Sequence, residues 1–317
     1  MKKLFSLAMV AMMGLSIFTG CGTKDDKITV GIVQIVEHTS LDMIRESMVS
    51  ELEAKGYDAS KVKIDYQNAQ GDQSNLNSIC KKFVGDDVDV IVAIATPSAQ
   101  AAAAATSDIP IIFSAVTDPV GANLVSDLAH PSGNITGTSD AIPVDKVFEL
   151  CKELTPGVKK IGFLYTASEV NSQSVIEEAK KIAPDYGFSF EEVTITNTSE
   201  LQQAAYSLAD KVDAIYSPID NTIASAMNVL SEVGKERKIP IYAGADSMVM
   251  DGAYATVGIN YEDLGKQTAD MVIAVLDGKA ISDIPVTTLN DFDKVINKTT
   301  ANIIEAPVLT EGAIIVE

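Results

Sequence analysis

A segment near residue 88 returns, altered, near residue 212. VDVIVAIATPSAQAA, beginning at Val88, aligns with VDAIYSPIDNTIASA, beginning at Val212, and Thr96 falls opposite Asp220. The next unit repeats as well: IPIIFSAVTD from Ile109 and IPIYAGAD from Ile239 each run from an Ile-Pro start to an aspartate where the apolar run stops. Each unit joins a short β-branched run to a segment of helical period, the pattern of βα units and a parallel sheet. The expected fold is therefore α/β, with two similar doubly wound parallel-sheet lobes joined by a hinge.

The same alternation runs through the chain. KITVGIVQIV, KVKIDYQ, DVIVAIA and PIIFSAV are the strands expected in the first half, and KKIGFLY, FSFEEVTI, VDAIYSP and PIYAGA those in the second. Helical periodicity covers 41–55, 73–84, 98–106, 172–183, 201–209 and 222–238. GTSDAIPVDK, around Pro143, has linker composition, with a helix starting at Val144. A strand end and amphipathic helix from Ala255, then another strand and helix, leave room to cross back and return. The expected boundaries are 28–141 plus about 256–288 for the N-terminal lobe and 142–255 plus about 289–317 for the C-terminal lobe.

Residues 1–20 read as a signal peptide: Lys2 and Lys3, an apolar run from Leu4 to Phe18, then Thr19, Gly20 and Cys21. The run is short for a membrane span. FTGC resembles a bacterial lipobox, with Phe18 where that pattern prefers Leu, so Cys21 is the expected lipidation site and 21–27 a tether. The body is then expected at the extracytoplasmic face of the cell membrane, lipid-anchored. Cys80 and Cys151 lie in helical patterns and read as small buried apolar side chains.

The formal net charge of −20, with no basic run and no tryptophan, argues against a nucleic-acid partner. At 46% hydrophobic and 21% charged, the 317 residues suit a folded globular protein of two domains or one large one. His38 and His130 are the only histidines, so no metal set is expected, and a loop histidine such as His38 reads as a structural hydrogen-bonder. No cofactor is expected.

In doubly wound sheets ligands bind at the carboxyl ends of strands, where loops lead into helix N-termini. Polar residues gather there in both halves: EHTSLD (37–42), ATPSAQ (95–100) and VTDP (116–119), then TASEVNS (166–172), PIDNT (218–222) and GADS (244–247). Any one of these reads equally as a helix cap. Together they describe a cleft with hydroxyls and helix N–H groups on one side and carboxylates on the other. That asymmetry suits a zwitterion, its carboxylate at Thr96 and Ser98 and its ammonium near Asp220 or Asp246. Leu41, Phe113, Tyr165 and Tyr216 are candidates to contact an apolar side chain, and each reads equally as core.

Enzymatic readings fare worse. A dinucleotide enzyme needs a glycine-rich turn after its first strand, and VQIVEHTSLD has none. A two-lobed racemase needs thiols at facing strand ends, and neither histidine has a persuasive nucleophile partner for hydrolysis.

EHTSLD, ATPSAQ, VTDPVGA, NITGTSD, SEVNS, DNT and GINYEDLGKQTA, in this order, resemble the substrate-binding lipoproteins of ABC importers. The similar family has aromatic amino-acid ligands and is typified by tryptophan-binding members. The resemblance implies a type I periplasmic-binding-protein fold, a monomer whose lobes close over a small ligand, and delivery to a permease with its ATPase. It implies ligand contacts at Thr96, Thr117, Asp118, Ser168, Asn171, Asp220, Asn221 and Asp246. Where the family commonly has EHPALD, this chain places Thr39 and Ser40 between Glu37 and Leu41. Those hydroxyls either accept a ligand hydroxyl, which makes tyrosine at least as expected as tryptophan or phenylalanine, or merely cap the following helix. The alternative is a lipoprotein of the same fold that binds a nucleoside or another small molecule.

Overall fold

The computed structural model describes residues 27–309 and 311–317. The expected signal peptide, Cys21 and all of the tether but Lys27 lie outside the described residues. No helix among the described residues is long and apolar enough to cross a membrane.

Among the described residues thirteen strands and eleven α-helices follow one another. The strands are β1 (Ile28–Gln34), β2 (Val62–Asn68), β3 (Val90–Ile94), β4 (Ile111–Ser114), β5 (Ile135–Ser139), β6 (Lys160–Thr166), β7 (Ser189–Ile195), β8 (Ala214–Ser217), β9 (Ile241–Ala243), β10 (Ala255–Gly258), β11 (Thr287–Thr288), β12 (Asp293–Asn297) and β13 (Ala313–Val316). The helices are α1 (Thr39–Ala54), α2 (Gln73–Gly85), α3 (Thr96–Ala105), α4 (Val144–Leu154), α5 (Val170–Ile182), α6 (Leu201–Ala209), α7 (Asn221–Ala224), α8 (Met227–Arg237), α9 (Asp246–Met250), α10 (Tyr261–Leu276) and α11 (Lys298–Ile304).

One sheet runs β11-β5-β4-β3-β1-β2 and the other β13-β12-β10-β9-β8-β6-β7. The pairings are parallel except where β10 meets β12. Central strands are apolar on both faces, as a sheet covered by helices on both sides requires: β3 and β4 are buried throughout. The expected pair of parallel-sheet α/β lobes is thus present.

The chain passes between the sheets at 140–143, 259–260 and 289–292. The second crossing follows Gly258. Ala255–Gly258 pairs with β9 and β12, which keeps it in the second sheet. Two features differ from expectation. The stretch read as a linker begins in β5, whose Thr, Gly and Ser give a weak strand signal. The helix expected over 222–238 is broken into α7 and α8: Asp220 and Glu169 bond the first amides of α7, and at Ala226 the backbone leaves the helical region (φ −130°, ψ 27°) before α8 begins.

Helix α10 returns the chain to the first lobe and packs on α1 and β4. The two helices approach so closely that a Cβ at Gly265 meets Ser47 Oγ at 2.0 Å and the Ile44 carbonyl oxygen at 2.6 Å. Gly265→Ala is therefore expected to destabilise the fold by about 1–3 kcal/mol, read as a lower denaturation midpoint in urea at unchanged slope. Cys80 and Cys151 are buried free thiols, as expected, and burial pushes each up to about 11.

Candidate functional site

The strand exits of the two lobes face each other around one cavity. Its wall is formed by His38, Ser40, Leu41, Thr96, Ala115, Thr117, Asp140 and Tyr261 on the first lobe and its crossings, and by Asn171, Ile219, Asp220, Asn221, Ala224, Ala245 and Met248 on the second. The empty space between these atoms is about 350 Å³, and the walls stand so close that little of it admits a water-sized sphere. Larger, more open grooves lie along α1 and β2 on the outer face of the first lobe.

Unpaired polar atoms single out the inner cavity. Buried polar side-chain atoms nearly always have hydrogen-bond partners. Among the described residues the buried atoms without one include His38 Nδ1, Thr96 Oγ1, Asn171 Oδ1 and Tyr261 Oη, all from residues on the cavity wall. Ser98 Oγ, one residue behind the wall, is another. The outer grooves are lined by none of them.

The first-lobe side is an open helix N-terminus. Helix α3 starts at Thr96 with Pro97 in its first turn, and no side chain caps it. Its N-terminal amides and the Thr96 and Ser98 hydroxyls form the kind of donor cluster that binds a carboxylate. The preceding Ala95 has φ 76° and ψ 157°, and Ala115, at the exit of β4, has φ 55°. Two alanines held in the left-handed half of the map at adjacent exits are local strain of the kind found at ligand sites.

On the second lobe the corresponding helix N-terminus is already filled. Asp220 Oδ1 accepts from Ile223 N at 2.9 Å and Thr166 Oγ1 at 2.8 Å, and Oδ2 from Thr166 N at 2.7 Å and Ser172 Oγ at 2.8 Å. These bonds use the lone-pair directions a carboxylate offers. Glu169 likewise accepts from the amides and side chains of Asn221 and Thr222 and from Asn171 Nδ2. Burial, and then the Glu169 charge, push Asp220 above the ordinary carboxylate range. Asp220 thus lines the cavity with its lone-pair directions already used by the surrounding donors.

Asp140 is less heavily bonded than Asp220. It follows β5 on the first crossing and is 2% exposed, and Thr117 Oγ1 donates to it at 2.8 Å. Burial pushes it up to about 6, against the Thr117 bond and the weaker help of its own amide and the Tyr261 phenol. The Tyr261 phenol, from the second crossing, stands beside it. Asp246 is also pushed up to about 6 by burial, but it lies outside the wall and accepts from its neighbour Ser247 N.

Of the residues expected from sequence, Ser40, Leu41, Thr96, Thr117, Asn171, Asp220 and Asn221 line the cavity. Glu37 is exposed at its mouth, Ser168 is exposed, and Ser98 and Asp246 stand behind or beside the wall. Thr39 and Asp118 bridge the lobes instead: Thr39 Oγ1 donates to Asp251 at 3.1 Å, and Ser174 Oγ donates to Asp118 at 2.5 Å. Ser40 pairs with Ser247 across the same gap. The capping residue of α1 is His38, without a side-chain bond, so the Thr39 and Ser40 hydroxyls do not cap that helix. Phe113, Tyr165 and Tyr216 are off the wall; Tyr216 stacks edge-on with Phe148 and Phe163 in the core. His38, Asp140, Met248 and Tyr261 were not singled out as ligand residues from sequence. The aspartate at the end of NITGTSD was the available signal for Asp140.

The buried acids set a pH dependence. Asp140 and Asp246 are held near 6 and Asp220 is raised, against about 3.9 unfolded, so the native state keeps protons that the unfolded state has released. Stability from these groups is complete below pH 4 and falls as pH rises through their native values. Burial lowers His38, which works the other way below about 6.5, but it is one group against three. The ligand-free protein is expected to melt higher at pH 5 than at pH 8 in a scan at constant ionic strength.

Comparison with known proteins places this architecture. Residues 29–317 match the family model described as ABC transporter substrate binding protein. The chain is 46% identical over 314 residues to the tyrosine-binding protein of Clostridioides difficile (strain R20291), covering 94% of this chain and 91% of that one. A solved ABC domain in complex with L-Trp from Streptococcus pneumonia superposes with a TM-score of 0.89 at 41% identity, covering 92% of this chain and all of that one. A ligand-free, open substrate-binding protein with adhesive properties from Clostridium difficile gives 0.71 at 43% identity, covering 92% and 99%. Identity being nearly equal, the lobes here are arranged more as in the L-Trp complex than as in the open chain. The match across the whole described body, joined to two lobes closed on a polar-walled cavity, means that the chain belongs to the ABC transporter substrate-binding protein family.

Proposed function

We propose that this protein captures an aromatic amino acid, with tyrosine foremost, between its lobes and presents it to an ABC permease and its ATPase from the extracytoplasmic face of the membrane, tethered by lipid on Cys21. The observation that carries the reading is the polarity of the cavity. An uncapped helix N-terminus with unpaired hydroxyls and the buried carboxylate of Asp140, from the first crossing, both line it. A zwitterion satisfies both, its carboxylate at α3 with Thr96 and its ammonium at Asp140. Leu41, Ile219 and Met248 supply apolar surface for the remainder of the ligand. The names of the relatives support the ligand class. The role is binding, not catalysis, and a monomer suffices for it, since both halves of the site come from one chain.

Ligand contacts to both lobes favour the closed arrangement, and a permease distinguishes closed from open by shape. The test is a thermal-shift screen of protein lacking residues 1–21, refolded from denaturant to strip co-purified ligand, against the amino acids and a set of nucleosides. Stabilisation by tyrosine, tryptophan or phenylalanine is expected, by about 2.7 kcal/mol at a hundredfold excess over the dissociation constant. Stabilisation by nucleosides alone overturns the reading.

A further inference from the structure

His38 sits at the outer end of the cavity with one ring nitrogen unexplained. His38 and Ala224 line both the cavity and the groove outside it, whereas Asp140 and Tyr261, at the crossings between the lobes, line the cavity alone. A ligand whose zwitterion is held by Asp140 and α3 leaves His38 free to meet its side chain. The imidazole has its tautomer set by a chain of bonds. Asn221 Nδ2 donates to Glu169 Oε2 at 2.6 Å, which turns Asn221 Oδ1 toward His38 Nε2, 3.4 Å away. That oxygen only accepts, so Nε2 carries the hydrogen. In the neutral ring Nδ1 is then a bare acceptor, and it is the buried atom without a partner. Burial favours this neutral form.

We infer that His38 Nδ1 reads a hydrogen-bond donor on the ligand's ring, a phenol O–H or an indole N–H, and that this reading is assembled only when the lobes close. The inference rests on the proposed function. His38 belongs to the first lobe and Asn221 to the second, so opening removes the bond that fixes the tautomer. Phenylalanine binds the open form through its amino-acid group, but in the closed form it leaves Nδ1 buried and unpaired, a penalty that tyrosine avoids. Discrimination is therefore exercised at closure. It falls to His38 because Thr39 and Ser40, the hydroxyls nearest in sequence, are bonded to the other lobe.

The test compares tyrosine, O-methyltyrosine and phenylalanine by titration calorimetry on the unmodified protein and on His38→Phe. The unmodified protein is expected to prefer tyrosine over phenylalanine by about tenfold or more, with O-methyltyrosine on the weak side. In His38→Phe the tyrosine-to-phenylalanine ratio collapses toward one while phenylalanine still binds. A variant that weakens all three alike, or an unmodified protein indifferent to the hydroxyl, overturns the inference while leaving aromatic binding intact. If none of the three binds the unmodified protein, the proposed function is what fails. Should His38→Phe not fold, the ligand series on the unmodified protein still decides whether a ring donor is read.

Discussion

Asp140→Asn is expected to weaken amino-acid binding and strengthen the empty protein at the same time. The amide keeps an acceptor for Thr117 Oγ1 and fills nearly the same volume, so the wall survives. What goes is the charge that faces an ammonium, a loss of about 2–5 kcal/mol for a desolvated pair, or roughly thirtyfold to several thousandfold in dissociation constant. The sign for the empty protein is opposite. A carboxyl held near 6 when folded and at about 3.9 when unfolded costs stability once both states are ionised, on the order of 3 kcal/mol at neutral pH. Removing it returns most of that cost. Calorimetric titration for binding and a thermal melt of refolded, ligand-free protein give the two readouts. A variant that binds as well as the parent removes Asp140 from the ammonium site, and one that loses both properties shows that the residue is structural.

Asp220→Ala should act chiefly on the fold. Its carboxylate satisfies two amides and two hydroxyls in a site that is 0% exposed, and alanine leaves those donors buried without partners. Removing one member of such a buried, charge-assisted set costs about 3–5 kcal/mol, which for a chain of this size is on the order of 10 °C in melting temperature. Because the clamp holds β6, α5 and α7 together, the cavity wall at Asn171 and Asn221 loosens with it. The expected pattern is a large fall in melting temperature without ligand, with tyrosine affinity measured at low temperature falling less than in Asp140→Asn. The reverse order would restore Asp220 as the ammonium's partner.

The contrast between these aspartates shows what one sequence can carry. The duplicated βα pattern exposed both lobes, and strand exits named seven of the wall residues, because polar residues placed after buried strands leave a local signature. Asp220 and Thr96 occupy equivalent positions in the two repeats, yet one helix N-terminus is filled and the other open. That difference is decided by Glu169 and Thr166, more than fifty residues away. Asp140 and Tyr261 were hidden for another reason. Both lie where the chain passes between lobes, and the small residues of ITGTS look like a linker until β4 is seen beside them. The partners of Thr39, Ser40 and Asp118 depend on how one lobe is turned against the other, which no local pattern encodes.

Among the described residues the side-chain bonds that span the cleft are made by neutral donors: His38 with Asn221, Thr39 to Asp251, Ser40 with Ser247, and Ser174 to Asp118. The ion pairs among the described residues instead join partners within one lobe, as Lys55 joins Asp270 and Lys294 joins Glu153. Both lobes also carry more carboxylates than lysines and arginines. Long-range electrostatics therefore pushes the lobes apart, and among the described residues no ion pair joins them. Added salt screens the long-range repulsion more than it weakens these short contacts, two of which end on the Asp251 and Asp118 carboxylates, so the closed state gains ground as ionic strength rises, the reverse of a clamp built from salt bridges.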